Sequence, residues 1–403
     1  MNSSLRKNHV LVVGGGFGGI KAALTLAQHK NTQVTLVSDH THFRYYPALY
    51  RTATGGWKSG ARIRLQTILD GTGIAFIQGT AKTLDRTAKE LTLADGQKIT
   101  FDVVIFALGN VTNYFGIPGM PEYSYGIKST EEAERFKKHL HQQITDKGRP
   151  DLHYVIVGGG PTGIELAGAL PSYLKEVMTH HGLRDRTLHI TIVEAAPRLL
   201  PRAPEDISKA IGNRLKALGI HVMLGTAVQG TTANTLMAGS KAIKTETVVW
   251  TAGVANNPFY KENNFKLTDR GKVEVDEFLQ AEPGIFVIGD NANTQFSGMA
   301  QTALYDGEYV GTNILRAFNK ETPEPYLPKA PISVIPVGPR WASVQWGKVH
   351  FNGFVGSMLR SFADLIGFHD IEPWVKAGDQ WVVSMMDEEM DCPHCSHKTK
   401  PAK

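Results

Sequence analysis

The sequence predicts an α/β protein with two parallel-sheet units and a small C-terminal α+β region, because one pattern occurs twice. An apolar run at 9–13 leads into the glycine-rich turn 14–19 and a helix. A second apolar run at 154–157 leads into the turn 158–163 and another helix, 144 residues later (158 − 14). Short apolar runs of this kind are typical of buried parallel strands. In each unit the strand, turn, helix and next strand have the order of a Rossmann-like dinucleotide-binding fold.

The composition is that of an ordinary globular protein. The 403 residues suffice for two or three domains at roughly 100–200 residues each. With 42% hydrophobic and 20% charged residues, the chain as a whole is not disordered, collagen-like or a coiled coil. The net charge of +5 is spread along the chain rather than concentrated in a basic cluster. This argues against a nucleic-acid partner and leaves only a slight preference for anionic surfaces such as a membrane.

The glycine turns have a mechanical purpose. In G-x-G-x-x-G the first glycine makes the tight turn, the second lets the backbone approach a pyrophosphate, and the third lets helix and strand pack closely. The phosphates then lie at the helix N-terminus, where free N–H groups favour anions. One such turn alone is weak evidence, but two in the same context predict two bound nucleotides. A third element, Gly289-Asp290 after the apolar run 285–288, agrees with this prediction.

An acid at the end of the second strand of such a unit binds ribose hydroxyls. In the first unit Ser38 holds the strand-end position and Asp39 follows it, so Asp39 is the candidate ribose ligand. In the second unit Glu194 directly follows the expected strand 188–193. Because a carboxylate repels a 2′-phosphate, Glu194 predicts a preference for NADH over NADPH.

The rest of the chain predicts further strands and a C-terminal region. Strands are expected at 74–77, 90–93 and 103–108. A hinge with prolines at 323, 325, 328 and 331 precedes the C-terminal region. That region should contain strands at 333–337 and 342–346 and a helix at 354–368, and a tail follows from Asp387.

The expected helix at 354–368 carries an apolar stripe at i, i+3 and i+4 spacing, and Arg360 and Asp364 lie off that stripe. The stripe has two interpretations. Either it packs on its own domain, or it lies on a membrane surface with Trp374 and Trp381 as interfacial residues. The residues of the stripe are Phe354, Val355, Met358, Leu359, Phe362, Leu365, Ile366 and Phe368.

The sequence contains no apolar stretch of 18 residues, and residues 1–9 lack the apolar region of a signal peptide. We therefore expect a protein that begins in the cytoplasm. The only cysteines, Cys392 and Cys395, lie in the tail, which indicates a reducing compartment and a fold without disulfides. Their C-x-x-C spacing beside histidines can bind zinc or act in redox chemistry, but an inert tail is the preferred interpretation and no metal site is predicted.

Seven stretches of the sequence and the order of the two units resemble a known family. The chain resembles the flavoproteins with two dinucleotide-binding domains and a glutathione-reductase-like FAD/NAD(P) fold. Within them it is similar to the type II NADH:quinone oxidoreductases, which do not pump protons. The resemblance extends from Val10 to about Ile371. The stretches are 34–55, 101–110, 155–170 (VIVGGGPTGIELAGAL), 192–201, 249–256, 286–292 (FVIGDNA) and 299–307.

The resemblance implies FAD in the first domain and NADH in a second domain inserted into the first. It also implies a homodimer bound peripherally at the cytoplasmic side of the cell membrane, with a quinone as electron acceptor. The implied boundaries are 1–118 and 253–328 for the FAD-binding domain, 119–252 for the NADH-binding domain, 329–386 for a membrane and dimer region, and 387–403 for a flexible tail.

The resemblance further implies roles for single residues. Glu165 matches a family glutamate near the nicotinamide and is the implied catalytic residue. A glutamate in the first turn of a helix can also simply interact with the helix N-terminus, so that alternative stays open. The implied FAD-binding residues are Gly14, Gly16, Gly18, Gly19, Asp39, Gly109 and Asp290, and those for NADH are Gly158, Gly160, Gly163 and Glu194.

At the quinone site the sequence departs from the family. The family presents two glutamines beneath the flavin in an A-Q-x-A-x-Q-x-G helix. Gln301 matches the first glutamine, but Tyr305 replaces the second. A tyrosine can hydrogen-bond a quinone oxygen or stack on the quinone ring, and it can also fill the pocket.

Three functions are compatible with these residues. The leading hypothesis is an FAD enzyme that oxidises NADH and reduces a membrane quinone without pumping protons. The second is a soluble NAD(P)H-dependent flavin reductase that delivers electrons to a ferredoxin-type protein or to oxygen. The third is a nucleotide-binding sensor of the NADH/NAD ratio. Because no cysteine lies near the glycine turns, the chain should be neither a sulfide:quinone reductase nor a disulfide reductase.

Overall fold

The computed structural model describes residues 7–146, 148, 151–183 and 185–386. The tail with Cys392 and Cys395 lies outside these residues. The first segment contains the strands β1 Asn8–Val13, β2 Thr32–Ser38, β3 His42–Arg44, β4 Arg62–Arg64, β5 Ala75–Gln78, β6 Ala81–Asp85, β7 Glu90–Leu93, β8 Lys98–Thr100, β9 Val103–Phe106 and β10 Val111–Thr112. Its helices are α1 Phe17–Ala27, α2 Leu49–Ala53, α3 Leu65–Leu69 and α4 Met120–Tyr123, with 3-10 turns at Tyr46–Ala48 and Lys58–Ala61.

Three further segments follow. The second has β11 Ser124–Tyr125, α5 Thr130–Thr145, β12 His153–Val157, α6 Pro161–His180, β13 His189–Val193, α7 Glu205–Ala217, β14 Ile220–Met223, β15 Val228–Thr231, β16 Thr235–Ala238, β17 Lys241–Lys244, β18 Thr247–Trp250 and β19 Val254–Ala255. The third has α8 Pro258–Glu262, β20 Gln280–Glu282, β21 Ile285–Val287, a 3-10 turn at Gly289–Asn291 and α9 Ala300–Phe318. The last has β22 Ser333–Pro336, β23 Ala342–Trp346, β24 Val349–Gly353, α10 Phe354–His369 and α11 Trp374–Met385.

Two parallel sheets organise the molecule. The first has the strand order β20-β21-β9-β1-β2-β5, and all its pairs are parallel except β20 with β21. The second has the order β11-β18-β12-β13-β14 and is parallel throughout. The predicted α/β class with two Rossmann-like units is confirmed. Because β21 returns to the first sheet after the second is complete, the second unit is inserted into the first.

Each glycine turn follows a central strand of its sheet. The first turn follows β1 and the second follows β12, and both strands are almost fully buried in apolar cores. The two chain segments that connect the units pair with each other as the antiparallel strands β10 and β19, with Val111 opposite Ala255. The helix after the second turn continues past its expected end at 174 to His180, since Val177 and Met178 extend its buried face.

The C-terminal region differs from the sequence prediction. The helix expected at 354–368 is present as α10, but β24 and α11 were not predicted. The first interpretation of the apolar stripe, packing on its own domain, is wrong for most of the stripe. Arg360 and Asp364 are buried, at 9% and 5% exposure. The most exposed stripe residues, between 47% and 60% exposed, are Phe354, Val355, Met358, Phe362 and Ile366.

The cause of this orientation is a set of polar partners beneath α10. Asp364 accepts a hydrogen bond from the hydroxyl of Tyr45 at 3.0 Å, and Arg360 donates to the carbonyl of Pro47 at 2.7 Å. Because buried charges need such partners, the charged side of α10 turns inward and the apolar side faces outward. Only Phe368, stacked on Tyr45 at 4.2 Å, anchors the end of the stripe in the core.

Candidate active site

The first glycine turn leaves room for a ligand at one position only. Gly14 has φ +121°, and a Cβ there would overlap the backbone oxygen of Ala107. A Cβ on Gly19 would overlap the oxygen of Gly14, so strand, turn and helix touch through these glycines. A Cβ on Gly16 would meet no atom within 4 Å. The open side of Gly16, at the N-cap of α1, therefore fits a pyrophosphate.

The second turn repeats this geometry. Gly158 has φ +119°, and a Cβ there would lie 2.9 Å from the backbone of Ala252. A Cβ on Gly163 would overlap the oxygen of Gly158, while one on Gly160 would again meet nothing within 4 Å. Gly160 is the N-cap of α6. Both turns thus offer an open anion site at the N-terminus of a helix longer than two turns.

Gly18 lies apart from the open side of the first turn. Its Cβ would approach the oxygen of Ala303 at 3.0 Å and the side chain of Ile288 at 3.1 Å. Since Ala303 belongs to α9, the small size of Gly18 is explained by helix packing. Its role in cofactor binding stays a prediction.

The strand ends of the two units carry different side chains. Glu194 accepts N–H groups from Gly159 at 2.5 Å and from Ala196 at 2.7 Å, so its carboxylate lies against the second turn. In the first unit, Ser38 takes the corresponding place beside Gly15, and Asp39 follows with an exposed side chain. Both acids predicted to bind ribose lie at the carboxyl end of a strand next to a glycine turn.

Asp290 lies at the carboxyl end of β21 and faces the segment 107–110, which contains Gly109. Its carboxylate accepts a hydrogen bond from Asn110 at 2.9 Å, and burial raises its pKa although Lys272 and Lys128 act against this. The neighbouring Asn291 is fully buried and exchanges two hydrogen bonds with the backbone of Gly109, at 2.8 and 2.9 Å. The structure thus brings Gly109 and Asp290 together. Asn291 was not predicted from the sequence, although it directly follows Gly289-Asp290.

Glu165 lies in the second turn of α6 and is almost buried. Its carboxylate is 3.4 Å from the guanidinium of Arg360 on α10. Burial raises the pKa of Glu165 to about 7, and Arg360 and Arg51 pull against that increase. Asp364 is 3.3 Å from Arg360 and 3.5 Å from Arg51, which completes a buried cluster of two cations and two carboxyl groups.

This cluster was not predicted from the sequence. The signal was present, because Arg360 and Asp364 form an i, i+4 pair inside an otherwise apolar helix. A carboxyl group with a pKa near neutrality can exchange a proton under physiological conditions. The ion pair with Arg360 shows that Glu165 does more than interact with the helix N-terminus, and its catalytic role stays a prediction.

The residues predicted for quinone binding lie on the first two turns of α9. The side-chain oxygen of Gln301 accepts the N–H of Ile332 at 2.9 Å. The ring of Tyr305 lies 5.1 Å from the ammonium of Lys329, and burial raises its pKa. Ala303, between them, lies beneath Gly289, so this end of α9 adjoins the Asp290 turn. Within 7–146, 148, 151–183 and 185–386, no three His, Cys, Asp or Glu side chains could hold a metal ion.

Comparisons with known proteins show which family the chain resembles in sequence. The pyridine nucleotide-disulphide oxidoreductase family matches residues 8–307. The type II NADH:quinone oxidoreductase Ndh of Mycobacterium tuberculosis is 27% identical over 402 residues, which cover 90% of this chain and 85% of the relative. The type II NADH:quinone oxidoreductase of Staphylococcus aureus is 27% identical over 344 residues, 79% of this chain and 85% of the relative.

Solved structures show the same fold. The NDH2 protein of Plasmodium falciparum in complex with NADH superposes with a TM-score of 0.82 at 18% identity, covering 94% of this chain and 97% of that protein. The sulfide:quinone oxidoreductase of Aquifex aeolicus superposes with a TM-score of 0.77 at 19% identity, covering 88% and 89%. On the family match over residues 8–307 and this shared fold, the chain belongs to the pyridine nucleotide-disulphide oxidoreductase family.

Proposed function

We propose that this protein oxidises NADH with an FAD bound in the first unit and delivers the electrons to a membrane quinone without moving protons across the membrane. The observation that carries the proposal is the pair of glycine turns, each with an open side at its middle glycine, in one chain with Asp290 and Glu165. The similarity to two type II NADH:quinone oxidoreductases over most of this chain supports the choice of substrates.

In the first unit, Gly14, Gly16 and Gly19 hold the FAD pyrophosphate at the N-terminus of α1. Asp39 binds the ribose, and Gly109 and Asp290 hold the part of the cofactor nearest the flavin ring. The chemistry that FAD supplies there is acceptance of a hydride and release of its two electrons to a second substrate.

In the second unit, Gly158, Gly160 and Gly163 hold the NADH pyrophosphate, and Glu194 binds the adenosine ribose. Glu165 lies beside the nicotinamide and holds or releases a proton near neutral pH. Arg360 and Asp364 keep its carboxyl group in place. At the other end of the reaction, Gln301 and Tyr305 contact the quinone.

Membrane attachment uses the outward side of α10. Among the residues that the structure describes, no helix is both long and apolar enough to cross a bilayer. Five large side chains of the apolar stripe face outward instead (Phe354, Val355, Met358, Phe362 and Ile366). A helix whose apolar side is exposed instead of packed on protein is suited to lie in the interface of a membrane. We propose peripheral binding at the cytoplasmic side and a homodimer through the C-terminal region.

The experiment that tests the function separates its two halves. Purified protein is treated anaerobically with one equivalent of NADH and then mixed with a menaquinone or ubiquinone analogue, while the flavin absorbance is followed. We expect the absorbance to fall with NADH and to return with quinone. A fall without return would shift the proposal to a protein acceptor or oxygen, and no fall would overturn the NADH half.

Membrane binding is tested by sedimentation with vesicles of anionic phospholipid. Met358→Glu with Phe362→Glu, both within the apolar stripe, should abolish sedimentation. Leu327→Glu is the matched control, because Leu327 is 79% exposed but lies outside the stripe. Equal sedimentation of both variants would show that the stripe does not attach the protein to lipid.

A further inference from the structure

Phe115 has an exposed aromatic ring in a backbone conformation that L-residues rarely adopt. Its side chain is 62% exposed, and its φ is +52°. Exposure of so large an apolar side chain costs solvation, and a positive φ outside glycine costs backbone energy. Neither cost is explained by burial, since the ring contributes little to any core. A surface residue that combines both is a candidate for contact with a ligand.

Hydrogen bonds fix the backbone that carries this ring, and the ring itself contacts Trp250 and Gly253. The N–H of Phe115 donates to the side-chain oxygen of Asn113 at 2.8 Å, and the carbonyl of Asn113 accepts from the indole of Trp250 at 3.0 Å. The ring lies edge-on to Trp250 at 6.2 Å. It also covers Gly253, where a Cβ would lie 2.6 Å from the ring. The same Cβ would overlap the backbone oxygen of Asn113, so the backbone contact requires glycine at 253 and the ring packs over it.

Only a short path leads from this ring to the second glycine turn. Gly253 follows Thr251 and Ala252 at the end of β18. Ala252 lies against Gly158, as the 2.9 Å approach to a Cβ on that glycine shows. Thr251 donates its N–H to the carbonyl of Val157 at 2.9 Å. Phe115 is thus connected, through Gly253 and Ala252, to the turn that we assign to the pyrophosphate of NADH.

The sheet order decides which half of NADH faces the ring. The turn follows β12, and β12 lies between β13 and β18. Glu194, assigned to the adenosine ribose, follows β13. A dinucleotide extends across the carboxyl ends of the strands on both sides of the central turn. The nicotinamide half therefore extends toward β18, where Phe115 lies.

We infer that Phe115 is a binding residue for NADH whose ring packs against the nicotinamide half and leaves the adenosine half untouched. This inference rests on the proposed function, because it takes the second unit as the NADH site. The ring packs on the nicotinamide itself through apolar and aromatic contact. Because hydrogen bonds already fix the backbone at Asn113 and Phe115, little backbone ordering is needed when the ligand binds.

The test compares two ligands that share the adenosine, the pyrophosphate and the second ribose and differ only in the nicotinamide. NAD⁺ carries the nicotinamide, whereas ADP-ribose lacks it. Their dissociation constants are measured by titration calorimetry on the oxidised, flavin-loaded protein and on its Phe115→Ala variant. We expect NAD⁺ to bind about tenfold more weakly to the variant and ADP-ribose to be unchanged within about twofold. Tyr123→Ala, which removes another exposed ring of the region, should change neither constant.

A second variant separates binding from folding. Phe115→Gly relieves the positive φ, so its melting temperature should rise while its affinity for NAD⁺ falls. Equal weakening of both ligands in Phe115→Ala would show that the ring only supports Gly253, and unchanged binding of both would overturn the inference directly. If the unmodified protein binds neither ligand, the assignment of the second unit to NADH fails first and the role of Phe115 fails with it.

Discussion

The two glycine turns share a backbone geometry but differ in the side chains around it. Each turn has glycines that backbone contacts require and a middle glycine that faces open space. Beside the first turn lies Ser38, whereas Glu194 accepts two N–H groups beside the second. From this comparison we propose that the backbone holds a pyrophosphate in both units, while the strand-end side chain distinguishes the two dinucleotides.

The helices after the turns differ in the same way. Positions 21 and 165 correspond, since both lie seven residues after the first glycine of their turns (21 − 14 and 165 − 158). Both side chains reach the C-terminal segment, but with opposite charges. Lys21 lies 3.5 Å from Asp370 and is partly exposed, whereas Glu165 lies 3.4 Å from Arg360 and is almost buried. Because burial raises the pKa of Glu165, the pair of Glu165 with Arg360 is the one that can affect the chemistry.

The largest effect is expected when a glycine that backbone contacts require is replaced by alanine, in one unit at a time. Gly163→Ala places a methyl group on the oxygen of Gly158 and should weaken NADH binding by about 100-fold or more, while the protein stays yellow. Gly19→Ala places a methyl group on the oxygen of Gly14 and should instead remove the flavin. Flavin content by absorbance, and the affinity for NAD⁺ by calorimetry on the oxidised protein, measure the two losses.

Gly160→Ala is the matched control for Gly163→Ala. Its methyl group enters open space, so the melting temperature should not change while NADH affinity falls, because the methyl group occupies the place of the pyrophosphate. If Gly163→Ala loses flavin as readily as Gly19→Ala does, the two units are not independent sites.

The next largest effect concerns the strand ends. Glu194→Ser gives the second unit the residue that the first unit has, and it should weaken NADH binding by about tenfold. Because the carboxylate no longer repels a 2′-phosphate, the ratio of NADPH to NADH affinity should rise. Asp39→Ser should leave both affinities unchanged and affect only flavin retention. Loss of NADH binding without a change in that ratio would assign Glu194 to the support of the turn alone.

The buried pair predicts a pH dependence. A carboxyl group with a pKa of about 7 ionises as the pH rises from 6 to 8, and an ionised Glu165 attracts the positive nicotinamide of NAD⁺. The affinity for NAD⁺ should therefore increase by about fivefold over this range, whereas that for NADH should not. Glu165→Gln should abolish the dependence. Arg360→Met removes a cation that lowers this pKa, so the transition should move to higher pH. A transition at the same pH in Arg360→Met would contradict the role of the pair.

Much of this comparison could be predicted from the sequence, and the rest depends on long-range contacts. The strands and turns at 9–19 and 154–163 can be predicted locally, because apolar runs indicate buried strands and glycines indicate tight turns. The pairing of Glu165 with Arg360 joins residues 195 positions apart. The apolar stripe of α10 matched the usual pattern of a buried helix side, but Tyr45, Pro47 and Glu165 supply polar partners that turn the charged side inward. No local pattern contains that information.

The smallest effect is expected at the ion pair of Lys21 with Asp370, which corresponds to the buried pair formed by Glu165. Lys21→Met removes an ion pair whose side chains are 20% and 33% exposed, and water screens such a pair, so the free energy of unfolding should fall by no more than about 0.5 kcal/mol. Arg360→Met leaves two buried carboxyl groups with less compensation and should cost about 3 kcal/mol. Urea unfolding of both variants at low and high salt measures the difference. A loss at Lys21 equal to that at Arg360 would mean that the C-terminal segment depends on both units alike, and burial would not then be what separates them.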